Sequence, residues 1–254
     1  MLTSQAPGTG RVAGVTDRAL LASGRDADVY AIDAQRVLRR YRDGSDATAE
    51  AAIMAYVAEL GFPVPHVYEA EGADLVMEQL DGPTMTQALG RDELDIQAGG
   101  ALLADLHRRL HELPPRLSAH PSADLSAHPS ADPSAHPGAD PSDRILHLDL
   151  HPHNIMLTAR GPVVIDWRNA TEGPPDLDLA LSALILAEVA VDETHEMAAG
   201  ADLLLTAFLD HAGGDPLRMV DRAVQIRRTD PALTGDEVGR LAAAAHRLRR
   251  PNTP

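Results

Sequence analysis

Residues 147–172, HLDLHPHNIMLTARGPVVIDWRNATE, constrain this chain more than any other stretch. Two short apolar runs, Ile155 to Leu157 and Val163 to Ile165, flank a turn signal at Arg160-Gly161-Pro162 and predict a hairpin. His147, Asp149 and Asn154 precede the first strand and Asp166 follows the second, so closing the hairpin carries Asp166 back toward Asp149 and Asn154. Two carboxylates within ~4–6 Å of each other resist joint ionisation unless a cation lies between them. Mg²⁺ is the hard, oxygen-seeking ion that suits two acids and an amide, and it is commonly shared with phosphate oxygens. The stretch therefore anticipates Mg²⁺ and a nucleotide. A rival arrangement uses His147, Asp149, His151 and His153, whose alternation offers ligands to Zn²⁺ as in a metallo-hydrolase.

Composition narrows the classes. The 254 residues suffice for one large domain or two small ones with a conventional core, and with 44% hydrophobic but 3% aromatic residues that core must be mostly Leu, Ala, Val and Ile. Cysteine is absent, which excludes disulfides and thiolate metal sites and fits a reducing cytoplasm. No apolar run reaches the ~18–20 residues of a membrane span, and no signal-peptide core precedes the first element. A formal net charge of −16 opposes general nucleic-acid binding and suits a cationic or neutral small substrate. All 22 basic residues are Arg; there is no Lys.

The spacing His147-x-Asp149-x-x-x-x-Asn154, with Ile165-Asp166-Trp167 downstream, resembles the catalytic loop and metal-binding Asp of the aminoglycoside phosphotransferase and choline kinase family. The resemblance implies a protein-kinase-like two-lobed α+β fold: a small N-terminal antiparallel sheet with one helix, and a larger, mostly helical C-terminal lobe. It implies that Asp149 orients the acceptor hydroxyl and takes its proton, that Asn154 and Asp166 hold Mg²⁺ on the phosphates of ATP or GTP, and that His147 supports the loop. Leu148 departs from the family, which often has Gly there. Asp178 matches the family Asp that braces the catalytic loop; a plain helix cap is the alternative. The missing Lys leaves a non-catalytic nucleotide-binding pseudo-kinase as another alternative. Choline is disfavoured as acceptor because 1 Trp, 4 Tyr and 2 Phe are few for an aromatic cage, so an aminoglycoside or other amino-sugar is expected.

In that frame, residues 1–17 form a tail, 18–80 the nucleotide-binding lobe, 81–83 a hinge and 84–254 the catalytic lobe. Ser23 to Ala31 reads as strand, turn and strand, with Gly24 admitting the phosphates and with Asp26 and Asp28 as unhelpful charges beside them. Arg36 to Tyr41 reads as the next strand, with Val37, Arg39 and Tyr41 on one face. The resemblance puts Arg39 where kinases carry Lys, and Glu50 opposite it on a helix spanning 46–60 with an apolar stripe of Ile53, Val57 and Leu60. It also puts Met77 behind the base, with the main chain of Glu78 and Leu80 offering an acceptor and a donor. Leu103, Leu106, Leu110 and Leu113 stripe a helix over 96–113, where His107 reads as a hydrogen-bonded core residue. A long apolar helix runs to Val191, and 193–212, 217–229 and 235–249 complete the lobe, with Glu193, Glu196, Asp202 and Asp210 as acceptor contacts.

Residues 118–141 repeat a Ser-Ala-His-Pro unit, with His120, His128 and His136 eight apart. Pro or Leu at every fourth position prevents a regular helix, and nothing apolar is available to bury. Deletion of 118–141 is expected to leave folding and turnover largely intact, checked by thermal melting and steady-state kinetics.

Overall fold

The computed structural model describes residues 18–116, 140–231 and 233–250; the predicted tail at 1–17 and nearly all of the 118–141 repeat lie outside them. Strands β1 (Leu20–Ser23), β2 (Ala27–Ala31), β3 (Arg36–Tyr41), β4 (Val67–Glu71) and β5 (Asp74–Glu78) form an antiparallel sheet in the order β1-β2-β3-β5-β4. Strand β3 lies in the middle, and Arg39 pairs in register with Val29 on one side and Leu75 on the other. Apolar neighbours on both sides leave that guanidinium to seek its partners off the sheet.

Helix α1 (Thr48–Glu59) follows β3 and buries Glu50 together with Ile53, Met54 and Val57. The expected stripe ends earlier than predicted. Gly61 adopts φ 83°, a left-handed turn that favours glycine, and the reversal leaves Leu60 exposed while Phe62 is buried and donates its N–H to Val57 O at 2.9 Å.

The chain leaves the sheet through Asp81-Gly82-Pro83. Gly82, at φ 131°, packs against the Leu157 carbonyl so closely that a Cβ would collide with it. Pro83 O accepts the Leu157 N–H at 2.8 Å. This joins the linker to the predicted hairpin, β7 (Ile155–Thr158) and β8 (Gly161–Val164). A second ladder, β6 (Arg144–Leu146) with β9 (Thr171–Gly173), closes the base of the hairpin; at three residues per strand it escapes period-2 reading.

The larger lobe is built from α2 (Met85–Gly90), α3 (Ile96–His111), α4 (Pro175–Ala190), α5 (Ala198–His211), α6 (Val220–Arg228) and α7 (Gly235–Arg249). Helix α4 is buried continuously from Asp176 to Glu188, a central helix that is apolar on every face and takes Asp176, Asp178, Ser182 and Glu188 inside with it. The short α2 was not expected, although Thr84 and Gln87 form a capping box there. Helix α5 begins at Ala198 rather than 193, because Asp192 accepts the Thr194 N–H in a turn.

Ion pairs tie the small lobe to the large one, among them Arg160 to Glu78 at 2.7 Å, Arg168 to Asp43 at 2.6 Å, and Arg25, in the β1–β2 turn, to Glu237 at 2.6 Å. Glu237 is also the third residue of α7 and completes a capping box with Thr234.

Two predictions follow from this packing. At Gly100, where α3 crosses α5, a Cβ would sit 2.5 Å from Ala207 Cβ and 2.6 Å from its carbonyl carbon; Gly100→Ala should lower stability by about 1–3 kcal/mol in urea denaturation. Burial opposes the Glu237 charge, but the Thr234 N–H and Arg25 overcome it and hold the carboxyl down at about 2. A carboxyl depressed by folding contributes stability above its unfolded pKa and loses it as the pH falls toward the folded value. Glu237→Ala should therefore cost about 1 kcal/mol at neutral pH. The deficit should narrow as the pH is lowered from 4.5 toward about 2, read from denaturation midpoints.

Candidate active site

Glu50 gathers the site. Its Oε1 accepts from Arg39 Nη1 at 2.8 Å and from the Trp167 N–H at 3.0 Å, and its Oε2 accepts from the Tyr41 hydroxyl. Arg39 then reaches past Glu50, and its Nη2 lies 2.5 Å from Asp166 Oδ1. One guanidinium thus joins β3, α1 and the segment after β8. Burial opposes its charge, but Asp166 and Glu50 hold the pKa above its ordinary value. The same burial and the Glu50 charge push the Tyr41 phenol up, so it remains a donor.

The hairpin sets the second half. Ile165 donates its N–H to Asn154 O at 3.0 Å, which positions Asp166 just beyond that bond. Asp166 takes φ 65°, uncommon for a residue with a Cβ. Its Oδ1 is held by Arg39, its Oδ2 has no hydrogen bond among the described residues, and its side chain is 41% exposed. Asn154 turns its amide nitrogen to Asp149, bonding the main-chain O at 2.8 Å and Oδ2 at 3.1 Å. Burial works against the Asp149 charge, but the His151 ring 3.6 Å away, His147 and Arg227 keep its carboxyl below the usual range. Asp149 is consequently ionised at neutral pH.

His147 is buried and fully engaged. Its Nε2 lies 3.1 Å from Ile165 O, its Nδ1 accepts the Asp149 N–H at 3.3 Å, and its ring meets Trp167 edge-on at 4.8 Å. That pattern fixes one neutral tautomer, in line with burial pushing its pKa down. With both nitrogens committed to the main chain, His147 is no metal ligand, and the His147/Asp149/His151/His153 zinc arrangement does not form. Asp178, fully buried inside α4, accepts the Leu148 N–H at 2.7 Å and the His147 N–H at 3.2 Å. It braces the loop rather than capping its own helix, whose cap residue is Pro174.

The remaining predicted residues are dispersed as follows. Gly24 donates its N–H to Ala27 O at 2.9 Å in the β1–β2 turn, where an added Cβ would meet only ordinary contact. The acids beside it are neutralised: Asp28 by Arg42 at 2.6 Å, Asp26 with Arg168 at 3.6 Å. Val37 and Met77 are cross-strand partners, the first buried and the second half-buried. The Glu78 N–H bonds His66 O, and its carboxylate is spent on Arg160; Leu80 is half-buried beyond the end of β5. Of the expected acceptor contacts, Glu193, Glu196 and Asp210 are exposed, whereas Asp202 is paired with Arg247 at 2.6 Å.

Three contributors escaped the sequence reading. Tyr41 shares the face of Arg39, and period-2 alternation does point its hydroxyl the right way. Arg168 stacks 4.4 Å from the Tyr41 ring and bonds Asp43. Arg227, paired with buried Glu188 through two 3.1 Å bonds, sits within the field of Asp149 from a helix nearly 80 residues downstream. Nothing in its local sequence announces that.

The donor set around the hairpin is all oxygen, from Asp166 and Asn154, with the Asp166 Oδ2 face unbonded. That chemistry fits a hard divalent ion such as Mg²⁺.

The model of the family described as "Phosphotransferase enzyme family" matches residues 17–132 and 122–219, two segments that overlap inside the repeat. No curated protein matches the chain. Among solved structures, the amicoumacin kinase hAmiN in complex with AMP-PNP, Ca²⁺ and Ami is 15% identical, covering 95% of this chain and 91% of that one at a TM-score of 0.52. The gentamicin complex of APH(2")-IIa is 15% identical, with coverage of 93% and 92% and a TM-score of 0.53. A choline/ethanolamine kinase family protein from Mesorhizobium loti is 16% identical, with coverage of 94% and 90% and a TM-score of 0.54. These likenesses share the two-lobed kinase-like fold, and the matched segments extend from the start of the sheet through α5 and beyond. The chain belongs to the phosphotransferase enzyme family.

Proposed function

We propose that this phosphotransferase moves the γ-phosphoryl group of ATP or GTP to a hydroxyl of a small amino-sugar or aminoglycoside-like acceptor. Residues 18–80 carry the nucleotide and residues 84–254 the chemistry. The observation that carries the reading is the convergence of Arg39, Glu50 and Asp166 at bonding distance, next to a loop that presents an ionised Asp149.

In this reading Asp149 orients the acceptor hydroxyl and accepts its proton, and the Asn154 amide fixes the carboxylate that does so. Arg39 trades its Asp166 contact for phosphate oxygens while Glu50 keeps it aimed, a role its planar fork suits. Asn154 and Asp166 would hold Mg²⁺, which when bound neutralises charge on the phosphate oxygens. Val37 and Met77 wall the base, and the main chain near Glu78 and Leu80 bonds its edge. His147 and Asp178 keep the loop in register. The −16 net charge favours a cationic acceptor, and one fold relative forms a complex with gentamicin. The absence of a membrane-length apolar helix among the described residues is consistent with a cytoplasmic setting.

A second reading, a nucleotide-binding pseudo-kinase, draws on the same Arg39: in the structure it is bonded to both acids at once. The two separate in one experiment. ADP or GDP release across a panel of hydroxylated amines and sugars supports transfer; a Mg²⁺-dependent thermal shift with nucleotide but no release from any acceptor supports the pseudo-kinase.

Asp149→Asn and Asp166→Asn should each lower kcat by about 10³-fold or more with melting curves close to the parent's. Arg39→Met should both abolish transfer and cost about 3–5 kcal/mol of stability, since it leaves Glu50 buried without its cation.

A further inference from the structure

His107 and His111 stand one turn apart on α3, the i,i+4 spacing that turns two imidazoles to one side of a helix. Asp178 of α4 meets both. Its Oδ2 lies 2.9 Å from His111 Nε2 and 3.4 Å from His107 Nδ1, and one ligand atom from each of the three residues falls within 4.8 Å of the others. No other trio of His, Asp or Glu converges in this way among the described residues.

Two further observations point to a ligand. His107 Nδ1 is buried and makes no hydrogen bond among the described residues, although Asp178 Oδ2 lies 3.4 Å away, an uncommon state for a nitrogen in a fully buried ring. The other nitrogen of that ring, Nε2, lies 2.8 Å from Ser182 Oγ. Metal-binding imidazoles are held in just this manner through the nitrogen that does not face the ion. Asp178, moreover, is a fully buried carboxylate whose ion-pair partners among the described residues are these two imidazoles alone. That carboxylate also accepts the His147 and Leu148 N–H groups, so its burial is met in part within the protein.

We infer that His107 Nδ1, His111 Nε2 and Asp178 Oδ2 form a binding site for one transition-metal ion of the Zn²⁺ class, separate from the nucleotide site. Bonds of about 2.0–2.2 Å in a tetrahedral shell place ligand atoms about 3.3 Å apart; the two separations at Asp178 bracket that value, and the two imidazole nitrogens, within 4.8 Å of each other, would close toward it on binding. Two imidazoles with one carboxylate favour Zn²⁺ or Co²⁺ over Mg²⁺. Three protein ligands leave a fourth position for water. His111 is the one member with accessible surface, at 10%, so the ion arrives from its side. Because Asp178 also accepts the His147 and Leu148 N–H groups, the ion would stiffen the loop that carries Asp149 without touching substrate.

The test uses the full untagged chain, stripped with chelator, reloaded with Zn²⁺ or Co²⁺ and passed through gel filtration. One retained equivalent by elemental analysis, a raised Tm, and the intense visible absorption of tetrahedral Co²⁺ are expected. All three should be lost in His111→Leu, a variant at the rim of the core that retains the fold, and kept in a chain whose His120, His128 and His136 are all Ala. Failure to retain an equivalent, retention in His111→Leu, or loss in the triple variant would overturn the site and leave a hydrogen-bonded triad.

Discussion

The pairing of Arg39 with Glu50 is the contact on which the rest of the structure depends. Both groups are almost fully withdrawn from water, and each compensates much of the other's desolvation, with Asp166 helping the first and Tyr41 and Trp167 the second. Glu50 spends its remaining capacity on Tyr41 and on the Trp167 N–H, so sheet, helix and the segment after β8 share a single carboxylate. Polar geometry at this point therefore adds to the Gly82–Leu157 packing and the shared apolar core in placing the two lobes. The Arg25, Arg160 and Arg168 pairs lie nearer the surface, where each contributes at most about 1 kcal/mol.

Beyond that point the chain holds its reactive groups in conformations that it would not choose locally. Leu148 and Asp166 both take left-handed φ values, 63° and 65°. Such residues cost of order 1–3 kcal/mol and persist only where their surroundings over-determine them. Those surroundings are identifiable: Asp178 fixes the Leu148 N–H, and Arg39 takes the Asp166 carboxylate. The Leu148 departure from the family's Gly thus acquires a physical meaning. Glycine would meet this backbone without strain, whereas Leu accepts it and gains packing against the core.

The β7–β8 hairpin was legible because its signals are local: two short apolar runs, β-branched in part, a Gly-Pro turn, and polar groups at fixed offsets. Glu50 was legible because helical spacing and burial leave an inward acid in need of a partner. Leu60 was misjudged because a left-handed Gly61 reverses the chain a residue earlier than apolar periodicity suggests. The β6–β9 ladder was too short to carry a pattern, and Arg227 enters the field of Asp149 by tertiary folding alone. Asp202, read as an acceptor contact, is consumed by Arg247, and no feature of its own helix reveals that. Sequence patterns report which face a residue occupies; they do not report which of several nearby charges will claim it.

The guanidinium at position 39 also sets how the protein meets alkaline solution. An ammonium in the same seat would feel the same two carboxylates but start from an ordinary value near 10.4, so it would shed its proton at lower pH than a guanidinium. A guanidinium whose pKa is raised further by Asp166 and Glu50 keeps its charge throughout that range. In a chain without a single lysine, the seam between the lobes stays closed in base, and the alkaline limit of the molecule falls to groups elsewhere.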